Sequence, residues 1–180
     1  MKSLLDHRIK LPLLAFLVVG LCLALEHFTG GVVTHHLLAR DDMPGVSNYW
    51  GLVSVPLLAF VVAYVIHRNR YKKTTSEEKL KQHEDVVFKR FIAALAFGIT
   101  ISLLWELRLE SVLPYLILLP LLLAFFRPVH YPECLLGFVL GMVYTFGGIL
   151  PILIGTVLLI IAYLINRIIR LLKRVFVPKA

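Results

Sequence analysis

The side chains best suited to chemistry lie in one short polar segment of an otherwise apolar chain. Three histidines and three carboxylates fall within 17 positions: Glu26, His27, His35, His36, Asp41 and Asp42. Neutral imidazoles and carboxylates are ligands for a catalytic divalent metal such as zinc, which keeps three protein ligands and one open position for water. The segment therefore predicts a metal site. Its candidate ligands are His27, His35, His36 and Asp42.

Other interpretations of this segment stay open, because its spacing matches no zinc motif of the His-Glu-x-x-His kind. In the simplest alternative, the polar side chains satisfy the backbone of an interfacial loop and balance the charge of Arg40. A proton-handling or haem-ligand role is a further alternative.

Two glutamates are candidates for general acid–base catalysis. Glu106 ends an apolar run, where Arg108 or Arg40 would supply a charge partner. An ionisable group at the edge of the hydrocarbon is a functional candidate because its placement there costs free energy. Glu26 would join Glu106 if their two apolar runs packed side by side. The alternative for both is an ordinary interfacial glutamate.

The composition indicates that lipid is the solvent for most of the chain. Hydrophobic residues make up 59% of the 180 residues and the mean hydropathy is +0.83, whereas soluble domains are about 45–50% apolar. The net charge of +8 does not indicate nucleic-acid binding, because the basic residues flank apolar runs and so resemble topology signals.

We predict an all-α polytopic membrane protein with six transmembrane helices in a single domain. The predicted spans are 11–28, 49–66, 91–107, 111–126, 134–148 and 150–166. The last two divide a 32-residue stretch that would extend about 48 Å as one helix, well beyond a hydrocarbon core of about 30 Å. Gly147-Gly148 and then Pro151 supply the stop and the start.

The charge distribution predicts that both termini are cytoplasmic. With six spans, 17 of the 19 Lys and Arg residues lie on one side, and only Arg40 and Arg108 lie on the other. The positive-inside rule makes the basic side cytoplasmic and predicts a bacterial-type inner membrane protein.

Three segments outside the spans carry further expectations. A charged cytoplasmic helix over 76–90 starts at a capping box formed by Thr75 and Glu78, and it continues into the third span. The outer loop 29–48 contains a short helix or re-entrant piece at 32–40. The loop from His130 to Glu133 reads as a capped turn.

Contacts with lipid and with other helices are also predicted. In the tail, 167–180, four basic residues alternate with apolar ones and would bind anionic headgroups: Arg167, Arg170, Lys173 and Arg174. Gly137 and Gly141 form a small-xxx-small pattern that lets another helix approach closely, within the chain or in a homo-oligomer. Membrane lipids are the expected partners, and a protein partner is an alternative.

Three functions fit these expectations. In the first, a metal at the outer loop activates water against a lipid-like substrate, with Glu26 or Glu106 as acid or base. In the second, the negative outer rim concentrates cations for ion or small-solute transport. In the third, the protein is a non-catalytic membrane scaffold.

Overall fold

The computed structural model of the protein describes residues 4–36, 45–73 and 77–176, which are helical apart from short turns and two three-residue strands. The helices are α1 (Lys10–Thr29), α2 (Gly51–Lys73), α3 (Glu77–Glu106), α4 (Leu113–Ile117), α5 (Leu119–Phe126), α6 (Pro132–Phe146) and α7 (Ile149–Phe176). The strands are β1 (Thr34–His36) and β2 (Gly45–Ser47).

Four helical segments are long and apolar enough to cross a membrane by their length and composition: Lys10–Thr29, Asn48–Asn69, Leu80–Glu106 and Ile149–Lys173. Two shorter apolar segments accompany them, Leu113–Phe126 and Pro132–Phe146. Many large apolar side chains on α1 and α7 are exposed. A surface of this kind is stable against lipid rather than water. The chain is therefore suited to a membrane.

The centre of the fold is the pair α3 and α6, whose backbones are in close contact through three glycines. A methyl group on Gly98 would lie 2.5 Å from the carbonyl oxygen of Phe138, and one on Gly137 or Gly141 would meet the backbone of α3. Ser102 Oγ also donates a hydrogen bond to the Gly141 carbonyl at 3.1 Å. Small residues thus bring the two helices together, and α3 of the same chain covers the Gly137 and Gly141 surface.

The helices α3 and α6 run in the same direction. Arg90 contacts Glu133 at one end of the pair, with 3.3 Å between Nη1 and Oε1. Trp105 packs edge-on against Phe146 at the other end, with ring centroids 5.1 Å apart. Because the two helices run in the same direction, the chain must return from the carboxyl end of α3 to the amino end of α6. The apolar segment of α4 and α5 provides that return.

The two ends of the helical bundle differ in charge. The end that carries Arg8, Arg90 and Arg127 is called here the basic end. At the opposite end β1 pairs antiparallel with β2, with Thr34 opposite Ser47, and this end is called the hairpin end.

A proline separates α4 from α5, and a glycine forms the turn between α6 and α7. The chain between α4 and α5 breaks at Leu118, two residues before Pro120, whose ring is incompatible with a helical carbonyl four residues earlier. Between α6 and α7, Gly147 has φ of +67°, a conformation that favours glycine. The helix α3 runs without a break from Glu77 to Glu106, so its charged first part continues directly into its apolar part.

The helix expected at 32–40 is wrong for residues 34–36, which form β1. Adjacent β-branched residues, Val32, Val33 and Thr34, favour extended backbone. The amide of Asn48 extends the pairing by donating to the Val33 carbonyl at 3.1 Å. The predicted capping box at Thr75 lies outside the described residues.

Candidate functional site

Glu26, a predicted catalytic residue, lies buried at the hairpin end, and each of its carboxylate oxygens accepts a hydrogen bond. Its side chain is 8% exposed. Oε1 accepts from Asn48 Nδ2 at 2.8 Å, and Oε2 accepts from the Val33 amide at 3.3 Å. These two bonds join the last turns of α1 to the hairpin and to the turn that precedes α2. In this arrangement the carboxylate holds three segments together and is turned away from solvent.

The surroundings of this carboxylate are closely packed. The side chain of Asn48 is 5% exposed and lies directly over Gly147, where its amide oxygen would clash with a methyl group. A methyl group on Gly148 would lie 2.7 Å from Gly51 Cα. The turn between α6 and α7 therefore closes against the start of α2. Glycine at these positions lets the backbones touch.

The other predicted ligands are not brought together in the described part of the chain. His27 is exposed and contacts Phe28 edge-on, with ring centroids 5.8 Å apart. His35 and His36 contribute backbone to β1, but their side chains, like all of Arg40, Asp41 and Asp42, lie outside the description. Among the described residues there is no group of three His, Cys, Asp or Glu side chains able to hold a metal. Metal binding is therefore not supported.

Glu106 lies at the carboxyl end of α3 with its side chain exposed, and Arg108 is exposed two residues later. No ion pair of Glu106 is present among the described side chains. The main partner of α3 is α6, whereas α1 packs chiefly on α2. The condition that would have brought Glu106 beside Glu26, α3 packing on α1, is therefore not the main packing of this fold.

The basic end contains a second buried carboxylate, in a different setting. Glu133, in the first turn of α6, is 3% exposed and pairs with Arg90 of α3, which is 31% exposed. The guanidinium carbon of Arg90 also lies 3.7 Å from the centroid of the Tyr131 ring. The ion pair and the aromatic ring together fix the position of the Arg90 side chain.

His130 lies against the same group. Its ring stacks on Tyr131 with a centroid distance of 5.3 Å and meets Tyr163 edge-on at 5.2 Å. Its Nδ1 atom is buried without a hydrogen-bond partner. Burial lowers the pKa of His130, and the positive charges of Arg170 and Arg90 lower it further. The imidazole is therefore held in its neutral form more firmly than an exposed histidine.

A cleft of about 640 Å³ opens beside this group, between α3, α5, α6 and α7. α3 packs on α6 and α5 packs on α7, so the cleft lies between these two helix pairs. Its walls are almost entirely apolar and include Ala93, Phe97, Leu123, Leu135, Phe138 and Leu158. Three cationic side chains lie at the basic end of the cleft: Lys89, Arg90 and Arg127.

Comparisons with protein-family models, curated proteins and solved structures find no match for this chain. The chemistry of the cleft is therefore the main guide to its function. Lys89 and Arg127 are exposed, and among the described residues neither has an ion-pair partner. Apolar walls with uncompensated cations at one end are suited to an anionic amphiphile.

The cleft is elongated along α3. Its lining on α3 runs from Val86 to Phe97, which is about 16 Å at a helical rise of 1.5 Å per residue. Lys89 and Arg90 lie in the first half of this lining, and the lining residues that follow them, Ala93, Ala94 and Phe97, are apolar.

The tail residues predicted to bind headgroups begin at this same end. Arg167 Nη1 donates to the hydroxyl of Tyr163 at 3.3 Å, and Arg170 Nε donates to the Asn166 carbonyl at 3.2 Å. Lys173 is exposed, and the side chain of Arg174 is outside the description.

Sequence reasoning missed the cleft because its charged groups come from distant positions. Arg90 and Glu133 are 43 residues apart. In the sequence, Arg90 is only a basic residue before a predicted span, and Glu133 is only an acid in a predicted turn. A usable signal was the acid just before an apolar run, because an acid that enters a bundle needs a cationic partner.

Proposed function

We propose that this protein binds an anionic membrane lipid in the cleft at its basic end. The observation that carries the proposal is the combination of an apolar cleft of about 640 Å³ with Lys89 and Arg127 at its rim. The volume lies within the range of about 300–1,000 Å³ that is usual for small-molecule sites. The apolar walls favour an acyl or isoprenoid chain, and the cationic rim favours a negative headgroup.

Electrostatics support an anionic occupant over a neutral one. The rim carries three cations, and Glu133 compensates only Arg90 by direct contact. Charge-assisted hydrogen bonds to phosphate are stronger than neutral ones.

The proposal includes a topology of six spans with both ends of the chain on the cytoplasmic side. The parallel packing of α3 on α6 supports six spans, because α4 and α5 must then return across the same thickness. The density of Lys and Arg at the basic end supports its cytoplasmic placement in a bacterial-type inner membrane. A reporter fused after Ala180 is expected to remain cytoplasmic, and an exported reporter would contradict this topology.

Photo-crosslinking in liposomes tests lipid binding. The probe is phosphatidylglycerol with a diazirine in one acyl chain, and the readout is the set of labelled peptides from the full-length protein. We expect labelling of the cleft wall formed by 86–97. In the Lys89→Gln/Arg127→Gln double variant, cleft labelling should fall about tenfold, since two charged contacts are lost.

The matched control is Arg68→Gln/Lys81→Gln, which removes the same charge from exposed side chains outside the cleft lining. Its cleft labelling should stay at the wild-type level. If the two double variants lose labelling equally, the lipid is attracted only by general surface charge. If peptides of the cleft wall are never labelled, the cleft does not bind lipid.

The alternative is metal-dependent hydrolysis of a lipid-like substrate at the hairpin end, with His27, His35, His36 and Asp42 as ligands. His27 is exposed, and the side chains of the other three lie outside the description. The test of this alternative is the metal content of the purified protein. Stoichiometric zinc that is lost in His35→Ala/His36→Ala would favour it. The transport and scaffold hypotheses stay predictions.

A further inference from the structure

We propose that the cleft selects a lipid whose headgroup is a phosphomonoester, and that Arg90 is the residue that recognises it. This inference rests on the proposed function, because it specifies the headgroup of the lipid bound there.

Arg90 differs from the other two rim cations because its side chain is already held in place. Glu133 Oε1 lies 3.3 Å from one terminal nitrogen of Arg90, and the Tyr131 ring covers the guanidinium at 3.7 Å. A guanidinium has five N–H donors in a planar fork. The contact with Glu133 occupies one terminal nitrogen, so other donors remain for a ligand in the cleft that Arg90 lines.

The balance of charge at the rim fits a phosphomonoester. Lys89, Arg90 and Arg127 contribute three positive charges, and Glu133 contributes one negative charge. The net charge of two matches a phosphomonoester, which carries about −1.5 to −2 at neutral pH. A phosphodiester carries about −1, and a zwitterionic headgroup adds its own cation to a rim that is already positive.

The number of donor groups gives the same result. A phosphomonoester presents three terminal oxygens, one for each of the three rim cations, and the planar fork of arginine can bind two of them together. A phosphodiester has one terminal oxygen fewer. Glu133 acts here as a positioning residue, because it contacts Arg90 and would repel the phosphate itself.

The experiment compares headgroups on identical diazirine-bearing chains: phosphatidic acid, phosphatidylglycerol and phosphatidylcholine. The full-length protein in lipid nanodiscs is labelled with each one. In the wild type, cleft labelling should be strongest for phosphatidic acid, about tenfold above phosphatidylglycerol, and weakest for phosphatidylcholine. Inorganic phosphate in excess should not displace phosphatidic acid, because a free ion lacks the chain.

Two variants test the residue. Arg90→Lys keeps the charge and a pairing with Glu133 but loses the planar fork. It should lower the preference for phosphatidic acid over phosphatidylglycerol to near unity while phosphatidylglycerol still labels the cleft. Glu133→Gln keeps an oxygen that can accept from Arg90 and removes the charge that would repel the phosphate, so it should leave the ratio at or above the wild-type value. Arg68→Lys, the same exchange at an exposed position outside the cleft lining, should leave the ratio unchanged.

The outcomes separate this inference from the proposed function. Equal cleft labelling by phosphatidic acid and phosphatidylglycerol in the wild type overturns the headgroup assignment and leaves lipid binding intact. A wild-type ratio in Arg90→Lys overturns the role of Arg90. Displacement by inorganic phosphate identifies a free anion site and overturns the lipid headgroup. Absence of cleft labelling with every lipid overturns the proposed function as well.

Discussion

Among the described residues, each end of the molecule buries one glutamate, and the two carboxylates have different surroundings. At the hairpin end Glu26 accepts from Asn48 and from the Val33 amide, beside glycines that bring the backbones into contact. At the basic end Glu133 holds Arg90 beside a cleft of about 640 Å³, and two more cations lie at the rim. Glu26 connects segments of the fold to one another, whereas Glu133 positions Arg90 beside the cleft.

The comparison shows that titratable residues alone do not identify a binding site. The hairpin end has the more varied titratable side chains in sequence, yet its buried carboxylate, Glu26, is already bonded to Asn48 and to the Val33 amide. The basic end has fewer kinds of titratable side chain, but its cations outnumber its acids beside the apolar cleft. Cationic side chains without an acidic partner, next to an apolar cleft, are the better indicator of a ligand site.

The hairpin end should be most sensitive to loss of the contact between Asn48 and Glu26. Asn48→Leu removes the amide donor from Glu26 and leaves a buried carboxylate oxygen unsatisfied. We expect a loss of about 3 kcal/mol in the free energy of unfolding, because unsatisfied charged groups carry most of their desolvation cost. The measurement is equilibrium unfolding in mixed micelles. Asn69→Leu, at an exposed position, is the control, and a loss no larger than in that control would mean that water reaches Glu26.

A second variant tests the glycine contact at the same end. In Gly148→Ala the new methyl group would lie 2.7 Å from Gly51 Cα, and overpacking of this kind costs about 2 kcal/mol. In Gly20→Ala the nearest neighbouring atom is 4.0 Å away, so this variant is the control. The midpoint of thermal unfolding should fall only for Gly148→Ala. Equal midpoints would show that α6 and α7 are not closed against α2.

A large side chain in the cleft at the basic end should block lipid binding. Ala93→Trp places an indole on an exposed position of the cleft wall, so cleft labelling by phosphatidylglycerol should fall about tenfold. Unfolding should change little, because the position has room. Ala96→Trp, on the same helix but not lining the cleft, should retain labelling. Full labelling of Ala93→Trp would contradict the proposed path of the lipid chain.

The smallest expected effect concerns pH. His130 lies among Tyr131, Tyr163, Arg90 and Arg170, and burial with the two positive charges lowers its pKa from the ordinary 6.5. The unfolded chain therefore takes up a proton more readily than the folded one. Stability should be retained above the ordinary pKa and should decrease as the pH falls below it.

The control for this effect is His130→Gln, which has no imidazole to protonate. Its unfolding midpoint should fall less than that of the wild type between neutral pH and pH 5. The acids of the chain titrate in both proteins, so only the difference between the two curves reports on His130. Identical curves would mean that His130 titrates normally in the folded protein.

Much of the helical pattern was predictable because it depends on local chemistry. Gly147-Gly148 and Pro151 divide the last apolar stretch, and the structure ends α6 at Phe146 and begins α7 at Ile149. Apolar length likewise predicted membrane helices, of which four are long enough among the described residues. These features need only backbone limits and hydrophobicity.

The site was much less predictable because it depends on tertiary packing. The glutamate with the most promising neighbours in sequence, Glu26, is paired with Asn48, 22 residues away. The cleft needs four helices to come together, and no local pattern at Lys89 or Arg127 indicates that they border one volume. The β1 strand was also missed, since three residues are too few for a periodic signal.

The most direct test of the central claim is a ³¹P–¹⁵N dipolar-recoupling measurement by solid-state NMR, on ¹⁵N-Lys/Arg protein in bilayers with phosphatidic acid. If the cleft binds phosphatidic acid, phosphorus contacts are expected to the side-chain nitrogens of Lys89, Arg90 and Arg127. They should be assigned through single substitutions and retained when other lipids are in excess. Contacts only to Arg68, Lys81 and the tail, with none at the cleft rim, would contradict this claim.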